Sequence, residues 1–369
     1  MKVLHLPLWA PNKDDVQLGN FIQQHIALSQ QDHDIHSIEF FSDSSLNKVI
    51  IIDGNQKTQV SYPKSWLKWR TFYWYLRACK LVHLHLNQKG FEPDVIHCHV
   101  AGRNLWFASK YFSKTPCVLS EHWSGYLNSF FDRLPFYTRR FLIRNINRSK
   151  VITCASNHLA EALIEKGVNK KIEILQNVIK YKEKKEEIIK DGFTFLVVAD
   201  LVDEIKNISG VIDAMSRLEV EDCKIKLVVV GGGEDQTYLE NLVEEKNLKS
   251  RVVFHGRAVQ EVVQDHFLKA DCIIVNSHIE TYSMVTIESI LSGCPVIATR
   301  CGGPEQFINA DNGILINTND TNGLKDAMFE VLQNKAKYTP DKVRTSIVNR
   351  YSEQSITKHL DQIYEQAIK

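Results

Sequence analysis

The stretch DCIIVNSHIETYSMVTIESILSGCPVIATRCGGPE, residues 271–305, decides how this chain is read. A continuous apolar run ends at Asn276, as in a strand covered on both faces. A short polar loop, Ser277 to Thr281, leads into helical periodicity from about Ser283 to Leu291, and Gly293 is placed to close that helix. Pro295 restarts an apolar strand, and the turn Cys301-Gly302-Gly303-Pro304 opens the next helix. Strand, loop and helix in this order aim a helix N-terminus at the C-terminal edge of a sheet. The backbone N–H groups of Ser283, Met284 and Val285, helped by the helix dipole, then suit a diphosphate. Glu280 stands just before the helix and Glu288 lies eight residues on, within it. A carboxylate accepts hydrogen bonds from two hydroxyls. One of the pair is therefore expected to hold ribose hydroxyls and the other a bound sugar.

Outward from this stretch, apolar runs rich in β-branched residues alternate with helical segments, twice over. In the first half the expected strands are Val3–Leu6, His36–Phe41, Val95–His99, Cys117–Glu121, Val151–Ala155 and Ile172–Gln176. In the second they are Phe193–Ala199, Ile225–Val230, Val252–His255, Cys272–Asn276, Pro295–Thr299 and Ile314–Ile316. Such alternation predicts an α/β protein of two Rossmann-like, doubly wound parallel sheets. The expected division is 1–180, a charged linker at 181–192, and 193–351, with an amphipathic helix at 352–369 returning to the first domain. Ligands bind at the C-terminal edges of such sheets, which predicts a cleft between the two domains as the seat of chemistry. Asp53-Gly54 inside VIIIDGNQKTQV, 49–60, marks a β-hairpin turn.

Composition narrows the class. The chain has 369 residues, 44% hydrophobic and 24% charged, ordinary values for a water-soluble globular protein of two domains. The opening MKVLHLPLWAPNKDD reads as a first strand rather than a leader, and no apolar run is long enough to span a membrane. The eight cysteines are scattered, without CxxC pairs or Cys/His ligand spacing. They read as reduced core residues of a cytoplasmic protein, and no metal is expected. Residues 1–180 carry 23 Lys+Arg against 14 Asp+Glu, while the remainder carries 22 against 30. No nucleic-acid partner is expected; a basic first half suits an anionic acceptor or an anionic membrane. Two stretches, 61–80 and 130–150, are both basic and aromatic. Trp66, Trp69, Phe72 and Trp74 with Lys64, Lys68 and Arg70 suggest an interfacial face at the inner side of a membrane. The competing reading is an ordinary helix with an aromatic core stripe and a solvated basic face.

Glu280 and Glu288 form an E-x7-E pattern, and 271–305 as a whole resembles glycosyltransferase family 4, whose members are retaining enzymes of the GT-B fold. The resemblance implies donor-sugar contact by Glu280, ribose contact by Glu288, and phosphate contact by Ser283, Met284, Val285 and Thr286. Near FTFLVVADLVDEIKNISG, the family's phosphate-neutralising Lys falls on Lys206, but its Arg falls on Asp200, one residue further from the lysine than expected. Arg257, beside Gly256 in FHGR near the expected nucleotide base, is the candidate substitute. In the first half, DVIHCHV and PCVLSEHWSGY resemble the family's N-terminal domain. They place His122 near the reacting centre, with His99 as second candidate, and Gly19 in a loop approaching the donor phosphate. The resemblance implies sugar transfer, with retention, from a nucleoside diphosphate sugar to a hydroxyl of a saccharide or lipid-linked saccharide, without a metal cofactor. It suggests polysaccharide or glycolipid synthesis. Two alternatives stand beside it: a sugar-nucleotide epimerase or phosphorylase of the same fold, and a non-catalytic nucleotide-binding scaffold, the latter motivated by Asp200.

Overall fold

The computed structural model describes every residue except 13–17, 128, 180, 184–191 and 219–223. Two compact units emerge: Met1–Val178 together with Ser352–Lys369, and Ile179–Tyr351. Most of the charged segment 181–192 lies outside the described residues.

The N-terminal unit is an eight-stranded sheet. Its strands are β1 (Lys2–Pro7), β2 (Asp34–Asp43), β3 (Ile50–Asp53), β4 (Lys57–Pro63), β5 (Val95–His99), β6 (Cys117–Glu121), β7 (Val151–Cys154) and β8 (Ile172–Ile174). Their order is β3-β4-β2-β1-β5-β6-β7-β8. The β3–β4 pair is antiparallel and the rest are parallel. The hairpin turns at Gly54, whose N–H donates to the Lys57 carbonyl at 2.8 Å. β5 and β7 are buried at every residue, as their unbroken apolar runs require. Helices cover both faces. On one, the helix Lys68–Gln88 packs Tyr75, Ala78, Cys79, Val82 and Leu86 into the core. On the other lie the helix Asn20–Asp32 and the C-terminal helix Glu353–Ile368. The latter buries Ile356, Leu360, Ile363, Tyr364 and Ala367, one stripe at helical spacing, in the same cluster as Val3, Ile22 and Val95.

Trp66, Trp69 and Phe72 are exposed, whereas Trp74 packs against the core. The expected aromatic face therefore loses Trp74 and gains Tyr73, which is exposed. The cause is helical periodicity, since Trp74 stands beside the buried Tyr75 and Ala78.

The C-terminal unit has six strands: β9 (Phe193–Val198), β10 (Ile225–Val230), β11 (Val252–Gly256), β12 (Cys272–Val275), β13 (Val296–Thr299) and β14 (Gly313–Ile316). All pair in parallel, in the order β11-β10-β9-β12-β13-β14. The order reverses between β9 and β12, the switch point where loops diverge and ligands of doubly wound sheets bind. β12 and β13 are buried at all positions, which fixes the loops that follow them.

Candidate functional site

The loops after β9 and β12 are stitched together at this switch point. The Asn276 side-chain amide donates to the Asn207 carbonyl at 2.9 Å, and the His278 N–H to the Ile205 carbonyl at 2.8 Å. Asn207 sits in the left-handed region, φ 46°, ending the turn Asp203–Lys206 and capping the next helix through Gly210. This geometry sets Lys206 Nζ 2.6 Å from Glu280 Oε1, the same oxygen that accepts from Ser277 Oγ at 2.8 Å. The Glu280 backbone is gripped from the other side. Its N–H donates to the Cys301 carbonyl at 3.0 Å and its carbonyl accepts from the Gly303 N–H at 2.8 Å. A methyl group on Gly303 would lie 2.8 Å from the Tyr282 carbonyl carbon, so only glycine permits this approach.

The helix runs Met284–Ser292, with Ser283 as its cap rather than its first residue, at φ 62°. Ser283 Oγ and Thr286 Oγ1 are 2.8 Å apart, and Gly293 closes the helix at φ 87° as expected. The Thr286 N–H donates to the Ser283 carbonyl at 3.1 Å, and the first turn carries the positive pole of the helix. Neither acidic side chain faces bulk water: Glu280 is 15% exposed at the side chain, and Glu288 is buried. Burial pushes the Glu288 carboxyl up to about 7, against the opposing pull of Gln260 Nε2, which donates to Oε1 at 3.1 Å. Gln260 opens the helix Gln260–Lys269 and, like Ser277 and Asn276, was not singled out by the sequence. A lone Gln or Ser in a loop carries no periodic or spacing signal.

The ends of β9, β10 and β11 form a second group. Gly231, at φ 147°, brings its backbone so near the Ala199 carbonyl that a methyl group would lie 1.8 Å from the oxygen. Gly256, at φ 81°, accepts the Gly231 N–H at 2.9 Å. Arg257 then reaches across, donating to the Gly232 carbonyl at 3.1 Å and lying 3.4 Å from Asp200 Oδ1. A guanidinium thus stands beside the position that the resemblance gives to Arg and this chain gives to Asp200. Both side chains are exposed, 74% and 68%.

In the N-terminal unit, Gly19 caps the helix Asn20–Asp32 at φ 72°, and a methyl group there would strike the Trp9 carbonyl oxygen at 2.6 Å. The close approach already requires glycine, whatever ligand lies near. His122 follows β6. Its N–H and that of Trp123 donate to Glu121 Oε1 at 2.8 and 2.9 Å, while Glu121 Oε2 accepts from the Ala101 N–H at 2.9 Å. Glu121, fully buried, therefore sets the path of the His122 loop, a role its position at a strand end did not disclose. His99, the second candidate, is fully buried at the end of β5.

Two α/β units, each doubly wound and each with its chemistry-bearing residues at C-terminal strand ends, define the architecture of GT-B glycosyltransferases. Solved structures of that class share the fold. Anabaena HepE, determined in complex with UDP, matches with TM-score 0.76 at 16% identity over 98% of this chain and 99% of that one. The lipopolysaccharide outer core galactosyltransferase WaaB matches with TM-score 0.74 at 18% identity over 98% and 99%. Residues 23–182 match the Glycosyltransferase Family 4 profile and residues 178–353 the Glycosyl transferases group 1 profile. The chain belongs to glycosyltransferase family 4. Among curated relatives, the N-acetyl-alpha-D-glucosaminyl L-malate synthase of Bacillus anthracis is 26% identical over 62% of this chain and 63% of its own, less than two thirds of its length. The lipopolysaccharide 1,6-galactosyltransferase of Escherichia coli K12 is 25% identical over 79% of each.

Proposed function

We propose that the chain moves a sugar from a nucleoside diphosphate sugar to a hydroxyl of a saccharide or lipid-linked saccharide, with retention at the anomeric carbon, in cell-surface polysaccharide or glycolipid synthesis. The observation that carries this reading is the pair of shielded carboxylates, Glu280 and Glu288, flanking the N-terminus of Met284–Ser292 with Lys206 bound to the first of them. Negative charge grows on the leaving diphosphate as the glycosidic bond breaks. The positive pole of the helix start at Ser283–Thr286 and the Lys206 ammonium offset it without reorganising. Arg257 adds a third positive group, aimed by Asp200. In this reading the phosphate charge is met by protein groups and no metal is assigned to it. Glu280, fixed by Ser277 and the Gly303 amide, orients the sugar, while Glu288 accepts the ribose hydroxyls. Gly256 leaves room for the base, and His122 and the Gly19 loop serve the sugar and acceptor side. HepE, whose structure holds UDP, makes uridine nucleotides the first donors to try.

The test is a thermal-shift panel of UDP-, GDP- and ADP-sugars, followed by kinetics on two variants. Glu288→Ala is expected to weaken nucleoside diphosphate binding by about 10-fold or more, the loss of one or two hydrogen bonds to a carboxylate. Glu280→Ala is expected to lower turnover far more than nucleotide affinity. Wild-type behaviour of both variants removes the assignment. Product anomers read by NMR decide retention, and conversion of donor without acceptor would instead mark an epimerase.

The site of work is proposed to be an anionic membrane surface. Trp66, 88% exposed, with Trp69, Phe72 and Tyr73 beside Lys68 and Arg70, and Phe130, Phe136 and Tyr137 near Arg133, Arg139 and Arg140, join apolar rings to cations. The purified protein should sediment with phosphatidylglycerol vesicles at low salt and release at high salt. Indifference to such vesicles rejects this part.

A further inference from the structure

Five of the chain's fourteen histidines meet inside the N-terminal unit: His5 from β1, His97 and His99 from β5, His122 after β6, and His25 from the helix Asn20–Asp32. The rings lie against one another, with centroids 4.0 Å apart for His97 and His99, 5.4 Å for His5 and His99, 6.4 Å for His25 and His99, and 6.2 Å for His25 and His122. Two overlapping triads could each offer one ligand atom per residue within 4.8 Å of one another: His5, His97 and His99, or His25, His99 and His122. Hydrogen bonding separates them. His97 has both nitrogens engaged, Nδ1 with the Tyr364 hydroxyl at 2.8 Å and Nε2 with Ser120 Oγ at 2.7 Å. It is a structural residue. Among the described residues, His5, His25, His99 and His122 each keep one buried nitrogen without a hydrogen-bond partner: Nε2, Nδ1, Nδ1 and Nε2. Buried polar atoms are rarely left so; of the four, those of His25, His99 and His122 belong to the triad that does not need His97, and together they point to a shared electrophile.

The far nitrogens agree. His25 Nε2 lies 3.0 Å from the Gln176 carbonyl and His99 Nε2 lies 3.1 Å from His5 Nδ1. Imidazole ligands are ordinarily held this way, with the far N–H donating to an acceptor that fixes tautomer and ring plane.

We propose that His25 Nδ1, His99 Nδ1 and His122 Nε2 form a binding site for a divalent transition-metal ion, with zinc as the expected occupant. Three neutral imidazoles suit zinc and leave a tetrahedral ion one further position. Glu121, buried one residue from His122, fixes the backbone of that ligand by accepting its N–H at 2.8 Å. Chain order hides the site, because the ligands come from a helix, a strand end and a loop far apart in sequence. The site shares His122 with the proposed sugar-transfer machinery, but its readout is metal binding rather than turnover.

The full chain, stripped with chelator and dialysed, is titrated with zinc by calorimetry and with cobalt by visible absorption. One equivalent per chain is expected, with cobalt d–d bands that zinc abolishes and a zinc-dependent rise in melting temperature. His25→Gln and, separately, His122→Gln should weaken zinc by about 100-fold and lose the bands, with far-UV circular dichroism confirming that each variant is folded. His266→Gln is the control, because His255 and His266 pair edge-on at 4.7 Å in the C-terminal unit and present the obvious adventitious site. It should keep the signal. The proposal is overturned if wild type binds no stoichiometric metal, if His266→Gln loses the signal, or if either ligand variant, folded, retains it.

Discussion

At the scale of single residues, Glu288 is the carboxyl of the E-x7-E pair that burial perturbs. Its carboxyl is raised from 4.5 to about 7 because burial penalises the charged form. Since the folded value lies above the unfolded one, ionisation favours the unfolded chain. The stability tied to this group is fully present below about pH 4.5 and is lost as pH rises through about 7. At full ionisation the cost is at most about 3 kcal/mol, taking 1.36 kcal/mol per unit. Glu288→Gln should therefore stabilise the ligand-free protein against urea near pH 8 and change little near pH 5. Equal effects at both pH values would show that the carboxyl ionises without penalty. A residue kept at such a cost fits one whose charge is used when hydroxyls arrive, as the proposed ribose contact requires.

At the scale of elements, the site depends on how closely loops approach one another. The turn 301–304 lies against the loop 280–282 because Gly303 has no side chain, and the backbone bridge between Glu280 and Gly302 follows from it. Gly303→Ala should cost about 1–3 kcal/mol through forced backbone displacement and lower turnover by moving Glu280. Unchanged melting temperature and kinetics together would deny the coupling. The C-terminal helix shows the same logic on a larger element. Leu360, buried against the N-terminal core, should cost about 2–5 kcal/mol as Leu360→Ala, measured by denaturant unfolding. Removal of the helix Glu353–Ile368 should expose the Ile22–Val95 face and leave the N-terminal unit prone to aggregate, read by light scattering.

At the scale of the whole molecule, the chain builds one unit, then the other, and returns its last helix to the first. The strands were legible in sequence because buried parallel strands are unbroken apolar runs. Thus Cys272–Val275 and Val296–Thr299 fall within a residue of the expected positions. The helix after Ser283 was legible through Gly293, whose left-handed geometry few other residues accept. Glu280 and Glu288 were legible as a spacing, and Lys206 as a helix-start cation. Which oxygen Lys206 holds, the Gln260 contact to Glu288, and the Arg257–Asp200 pair were not, since each joins residues from different strand ends. The histidine cluster was invisible for the same reason, and its members looked like five separate residues. Local periodicity and turn chemistry act between neighbours in the chain, so sequence alone determined the elements, their order and the candidate helix terminus. Only the tertiary structure decided which side chains share a hydrogen bond, which carboxyl is dehydrated and which nitrogens are left without partners, because those depend on the strand order that brings distant loops to one edge.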